Sequence, residues 1–153
     1  MQDVVYDAEH TLRGYLRHSA GELVNIAGVS LVMPMDARFG GDIRQVDEWA
    51  SAVAMREGYG KVKVREGAPS LSKKAYYRAG TITLPRYNKG PWAWRQSVVL
   101  HELAHHMTVG HGHDDRFADT LADLLSKYIG HEAGLAYRIL LDKNGMKVGK
   151  ANV

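Results

Sequence analysis

The sequence predicts an α+β fold, in which a small mixed or antiparallel sheet packs on one histidine-bearing helix and further helices lie towards both ends of the chain. Three observations carry this prediction. Lys61-Val62-Lys63-Val64-Arg65 alternates charged and apolar residues with the period of two that a half-buried strand requires. Ala75-Tyr76-Tyr77-Arg78 and Thr81-Ile82-Thr83-Leu84 flank Ala79-Gly80, the pattern of a tight β-hairpin. Elsewhere apolar residues recur every three or four positions, which is the helical period. At 153 residues and 45% hydrophobic content, the chain suits a single domain over residues 1–153.

In chain order, Val5, Ala8, Leu12, Tyr15 and Leu16 mark a packing helix over Val4 to Arg17, ended by Ser19-Ala20-Gly21. His10 and His18 have no partner at a ligand spacing. Ile26 to Pro34 is apolar and β-branched enough for one strand, closed by Pro34 and then by Phe39-Gly40-Gly41. Asp42 is placed as an N-cap, and Ile43, Val46, Trp49, Ala50 and Val53 form a helical stripe that ends before Gly58 and Gly60, with Trp49 in the core. The strand at Lys61–Arg65 breaks at Gly67-Ala68-Pro69-Ser70, and the hairpin ends at Pro85. Pro91 suits a first helical turn, where its missing N–H costs nothing, so a helix is expected from about Trp92 to Val109, with Trp92 and Trp94 anchoring it to the sheet. Phe117, Leu121, Leu124 and Tyr128 predict the next helix. Ala133, Leu135, Ala136, Ile139 and Leu140 predict a last one over Glu132 to Leu141, with His131 and Glu132 at its cap and a frayed tail after Gly145.

No apolar run has the length a bilayer needs, and Met1-Gln2-Asp3-Val4-Val5 lacks the basic-then-apolar start of a secretion signal, so a cytoplasmic protein is expected. The absence of cysteine excludes disulfides and thiolate zinc sites and suits a reducing compartment. The net charge of +3 is a weak argument for a nucleic-acid partner. Lys61, Lys63, Arg65, Lys73, Lys74 and Arg78 gather in mid-chain and could meet phosphates, but a solvated sheet edge guarded by lysines is the favoured reading.

The chemistry concentrates at His101-Glu102-Leu103-Ala104-His105 and the segment Gly110-His111-Gly112-His113-Asp114-Asp115 that follows. Five of the eight histidines lie between His101 and His113. On a helix, residues four apart share a face, so His101 and His105 can reach one ion. A catalytic Zn²⁺ takes about three protein ligands and a water, so a third donor is needed. Glu102, about 100° round the helix from His101, is placed to act as general base towards that water, whose pKa the metal lowers to about 7. The longer HExxHxxGxxH spacing would select His111 but needs glycine where this chain has Thr108. His113 opens the next helix beyond a turn at Gly110-His111-Gly112 and is the favoured third ligand, with Asp115 and Asp119 as further candidates. The plain alternatives are a solvated helix face for the cluster, helix capping for Asp114 and Asp115, and exposed or outer positions for His106 and His111.

Thr81-Ile82-Thr83-Leu84-Pro85-Arg86, then Val98 to His106, then His113-Asp114-Asp115-Arg116-Phe117, resemble the small zinc metallohydrolases of actinobacteria and their phages over residues 60–145. The His-Asp-x-x-Phe piece is also similar to WLM-type and SprT-like metalloproteases, although the chain is two residues longer than WLM proteins in reaching its last histidine. The resemblance implies a minimal zincin-like catalytic core over 60–145, with His101, His105 and His113 holding Zn²⁺ and Glu102 as catalytic acid/base. It implies a peptide or protein substrate, laid along a strand edge beside the metal helix. Association with DNA, or a metal-stabilised module that binds without catalysing, are the other classes it leaves.

Overall fold

The computed structural model describes residues 3–68 and 74–148. Lys73 of the basic cluster, Pro69 and Ser70 of the predicted break, and residues 149–153 of the tail lie outside the described residues. The α+β class holds, with five helices and two small sheets among the described residues. The chain divides into two compact units, one formed up to Asp36 and again from Gly110, the other from Ala37 to Val109.

The first unit holds helix α1 (Val4–His18), the strand pair β1 (Leu23–Ile26) and β2 (Val29–Val32), and helices α4 (Asp115–Tyr128) and α5 (His131–Lys143). Asp3 caps α1 by accepting the Tyr6 N–H at 2.9 Å, and Asp114 caps α4 by accepting the Phe117 N–H at 3.0 Å. Each such carboxylate satisfies a donor that the first helical turn cannot, a contribution of about 1 kcal/mol. Helix α5 is central to this unit, touching α1, α4, β1 and β2. It packs most extensively on α4, where Gly134 lies against Ser126 and the Ala122 carbonyl. Arg138 adds a fork, donating to Asp119 at 2.7 Å and Asp123 at 2.8 Å, both on α4. Tyr137 is fully buried, and its hydroxyl has no hydrogen-bond partner among the described residues; burial pushes its pKa up.

The predicted single strand over Ile26 to Pro34 is instead the antiparallel hairpin β1–β2, in register Ile26↔Val29. Its two-residue turn is Ala27-Gly28, with φ of 51° and 87°. Both central residues are left-handed, as the turn that matches strand twist demands. Glycine meets that demand without strain, and Ala27 is carried there by the pairing on either side.

The second unit contains α2 (Ile43–Arg56), β3 (Lys63–Glu66), β4 (Tyr76–Arg78), β5 (Thr81–Leu84) and α3 (Gln96–Met107). Asp42 caps α2 as predicted, through the Arg44 N–H at 3.0 Å, and the Arg44 guanidinium beside it holds its carboxyl below the ordinary carboxylate range. The sheet is mixed, in the order β3-β5-β4: β5 pairs parallel with β3 and antiparallel with β4 through the predicted Ala79-Gly80 hairpin. Helix α2 packs on β3, where Asp47 accepts the Val64 N–H at 2.8 Å and Ser51 donates to the Val62 carbonyl at 2.8 Å.

The predicted helix from Trp92 to Val109 is shorter than expected and begins separately. Pro91–Ala93 is a single 3₁₀ turn, and α3 starts only at Gln96. The break has a clear cause. Arg95 is extended, with φ −132° and ψ 152°, and bridges Arg38, while Trp94 is fully buried and its indole N–H donates to the Pro85 carbonyl at 2.9 Å. Trp94 is thus the predicted anchor, whereas Trp92 is 38% exposed.

Candidate metal centre

Helix α3 carries the histidine pair, and its sequence explains its setting. From Ser97 to Ala104 every residue is buried, so this is a helix packed all round rather than one with an apolar back and a solvated front. The polar residues of the motif are therefore enclosed: His101 is 9% exposed and Glu102 is 6% exposed. Enclosing a carboxylate and an imidazole costs several kcal/mol unless each is paired or ligated. A core helix built only for packing would place apolar residues there.

His101 and His105 lie on a common face, with ring centroids 5.0 Å apart and planes inclined by 71°. The helix ends at Thr108, whose hydroxyl donates to the Ala104 carbonyl at 2.6 Å. This is the position where the longer metal-binding pattern would carry glycine. The turn comes two residues later, at Gly110 and Gly112, with φ of 90° and 59°. His113 precedes the α4 cap.

His101, His105 and His113 could together hold a metal ion, each offering one ring nitrogen. Three neutral imidazoles suit Zn²⁺ and would leave coordination positions for water or substrate. His111, Asp115 and Asp119 are not in that set. His111 is tied to Asp114 at 2.8 Å, and Asp119 to Arg138. The Phe117 N–H, with His111 beside it, holds the Asp114 carboxyl below the usual carboxylate range.

Two pairings, His113 with Asp3 and His106 with Tyr77, were not foreseen from the sequence. The His113 Nδ1 lies 2.8 Å from Asp3 Oδ2, and its ring rests on Phe117 with centroids 4.8 Å apart. His106, next to His105, is half-buried and shares a 2.9 Å hydrogen bond between its Nδ1 and the Tyr77 hydroxyl. That hydroxyl also accepts the Gly80 N–H at 2.9 Å. The Nε2 atom is buried without a partner among the described residues. A His-x-x-x-His spacing announces itself in sequence, whereas neither of these pairings has a local signature.

No helix among the described residues is long and apolar enough to cross a membrane. Compared with protein-family models, curated proteins and solved structures, the chain matches none.

Proposed function

We propose that this chain is a zinc-dependent metallohydrolase of zincin type that cuts peptide bonds, working in a reducing compartment such as the cytoplasm. The observation that carries the reading is the set His101, His105 and His113, together with a buried carboxylate, Glu102, beside the first of them. When bound, Zn²⁺ supplies Lewis acidity, lowering the pKa of water towards about 7 and polarising a carbonyl. Glu102 takes the proton of the attacking water and passes it to the leaving nitrogen. His101, His105 and His113 fix the ion, and β4 offers the extended substrate a sheet edge, because Asp47 already takes a backbone donor on β3.

The direct test is metal content by mass spectrometry on protein purified without added metal or chelator. About one zinc per chain is expected in the wild type and in His111→Ala, and none in His113→Ala. A wild type that takes up no metal even when zinc is supplied would remove the basis of the proposal.

One observation favours a second reading, association with single-stranded nucleic acid. Lys63 and Arg65 of β3, Arg78 and Tyr76 of β4, and Thr81 and Thr83 of β5 line a shallow cavity of about 400 Å³ with no carboxylate among its described lining residues. Arg65 donates from Nε to Thr83 Oγ1 at 3.1 Å, which lays its guanidinium along the sheet. If these cations meet three phosphates, log K against log salt should fall with a slope of about −2, and Arg78→Gln should flatten it by about a third. Absence of binding at low salt would leave the cavity as a solvated, lysine-guarded face.

A further inference from the structure

We infer that Asp3 is the positioning residue for the third metal ligand, holding His113 in the Nδ1–H tautomer so that Nε2 presents its lone pair; this rests on the metal reading above. Asp3 uses its two oxygens differently. Oδ1 accepts the Tyr6 N–H at 2.9 Å and so starts α1, while Oδ2 lies 2.8 Å from His113 Nδ1. An ionised carboxylate only accepts, so the 2.8 Å contact requires the proton on His113 Nδ1. A neutral imidazole has one N–H, which leaves Nε2 as the ligating atom. The Phe117 ring against His113 fixes the plane of the imidazole.

The His111–Asp114 pair looks alike, at the same 2.8 Å, but joins residues three apart in one turn. Asp3 and His113 are separated by 110 positions, so their meeting comes from the packing of this unit and not from local chain geometry. His113, and not His111, belongs to the set that could hold an ion. A carboxylate behind a ligating imidazole typically changes metal affinity by 10- to 100-fold.

The test uses two substitutions that keep a side chain able to cap α1. Asp3→Ser retains an oxygen for the Tyr6 N–H but has no second one for His113. Asp3→Asn, with its oxygen on Tyr6, turns an N–H donor towards His113 Nδ1 and so favours the opposite tautomer. Long-range ¹H–¹⁵N spectra of the metal-free full chain, at a pH where imidazoles are neutral, should show His113 as Nδ1–H in the wild type and as Nε2–H in Asp3→Asn. Zinc affinity, read by chelator competition, should weaken about 10- to 100-fold in both variants. If the wild type binds zinc and both variants match it, or if wild-type His113 is the Nε2–H tautomer, Asp3 does not position the ligand and the metal reading is untouched. If the wild type binds no zinc, the metal reading itself fails, and the inference that rests on it is overturned with it.

Discussion

Glu102→Gln is expected to retain about one zinc per chain and to lose peptide hydrolysis by roughly 10²- to 10⁴-fold. The substitution keeps the size and hydrogen-bonding reach of the side chain but removes the basic oxygen, so it separates proton transfer from metal binding. The environment makes the experiment clean. Glu102 is only 6% exposed, within a helix buried from Ser97 to Ala104, and a neutral amide is no harder to enclose than a carboxylate. Release of new amino termini from unfolded protein substrates measures the rate, and metal analysis of the same sample shows that lost rate is not lost zinc. Equal activity in Glu102→Gln would deny it the role of base. A wild type that is fully loaded with zinc and cuts nothing across such substrates would point to a metal-stabilised binding module.

Gly134→Ala should destabilise the fold by about 2–3 kcal/mol, against the direction that helix propensity alone dictates. Alanine is favoured over glycine inside a helix by about 1 kcal/mol. The neighbourhood overrides this. A Cβ at residue 134 would run into the Ser126 hydroxyl and come within 2.6 Å of the Ala122 carbonyl oxygen and 2.9 Å of Ser126 Cβ. A hydroxyl can rotate away, but a backbone oxygen in the middle of α4 cannot. Relief therefore requires α4 and α5 to separate, loosening apolar contacts and the Arg138 fork together. For a chain of this size the loss corresponds to a fall in melting temperature of roughly 4–12 °C. Adding Ser126→Ala should recover only part of it, since the carbonyl remains. A Gly134→Ala protein melting at or above the wild type would show that the two helices can part without cost.

What could be read in advance was what depends on local periodicity. The alternation at Lys61–Arg65, the helical stripes and the Asp42 cap each led to the element found, because period and capping act over a few residues. Ala79-Gly80 was legible as a turn because clear strands flank it. The same dipeptide at Ala27-Gly28 was hidden within an unbroken apolar run, where alanine does not announce a left-handed turn. The start of α3 was misplaced because Pro91 does begin a helical turn, but burial of Trp94 and the bridge from Arg95 interrupt it. The parallel pairing of β3 with β5 follows from packing across the chain and has no local pattern. At the candidate site, the shared face of His101 and His105 was legible in their spacing. That Glu102 lies buried, and that His113 meets Asp3, was not, since both arise from how distant segments close over one another.

The carboxylate of Asp47 on the Val64 N–H bears on growth as well as on folding. A strand edge is a template, and a sheet with two open templates can be extended copy after copy into a fibre. Here Asp47 of α2 occupies a backbone donor of β3, and among the described residues β4 forms the opposite rim of this sheet. Edge-to-edge addition through a single open strand would pair two molecules and then stop, so a carboxylate that occupies a donor on the opposite edge acts as a chain terminator does in polymer chemistry.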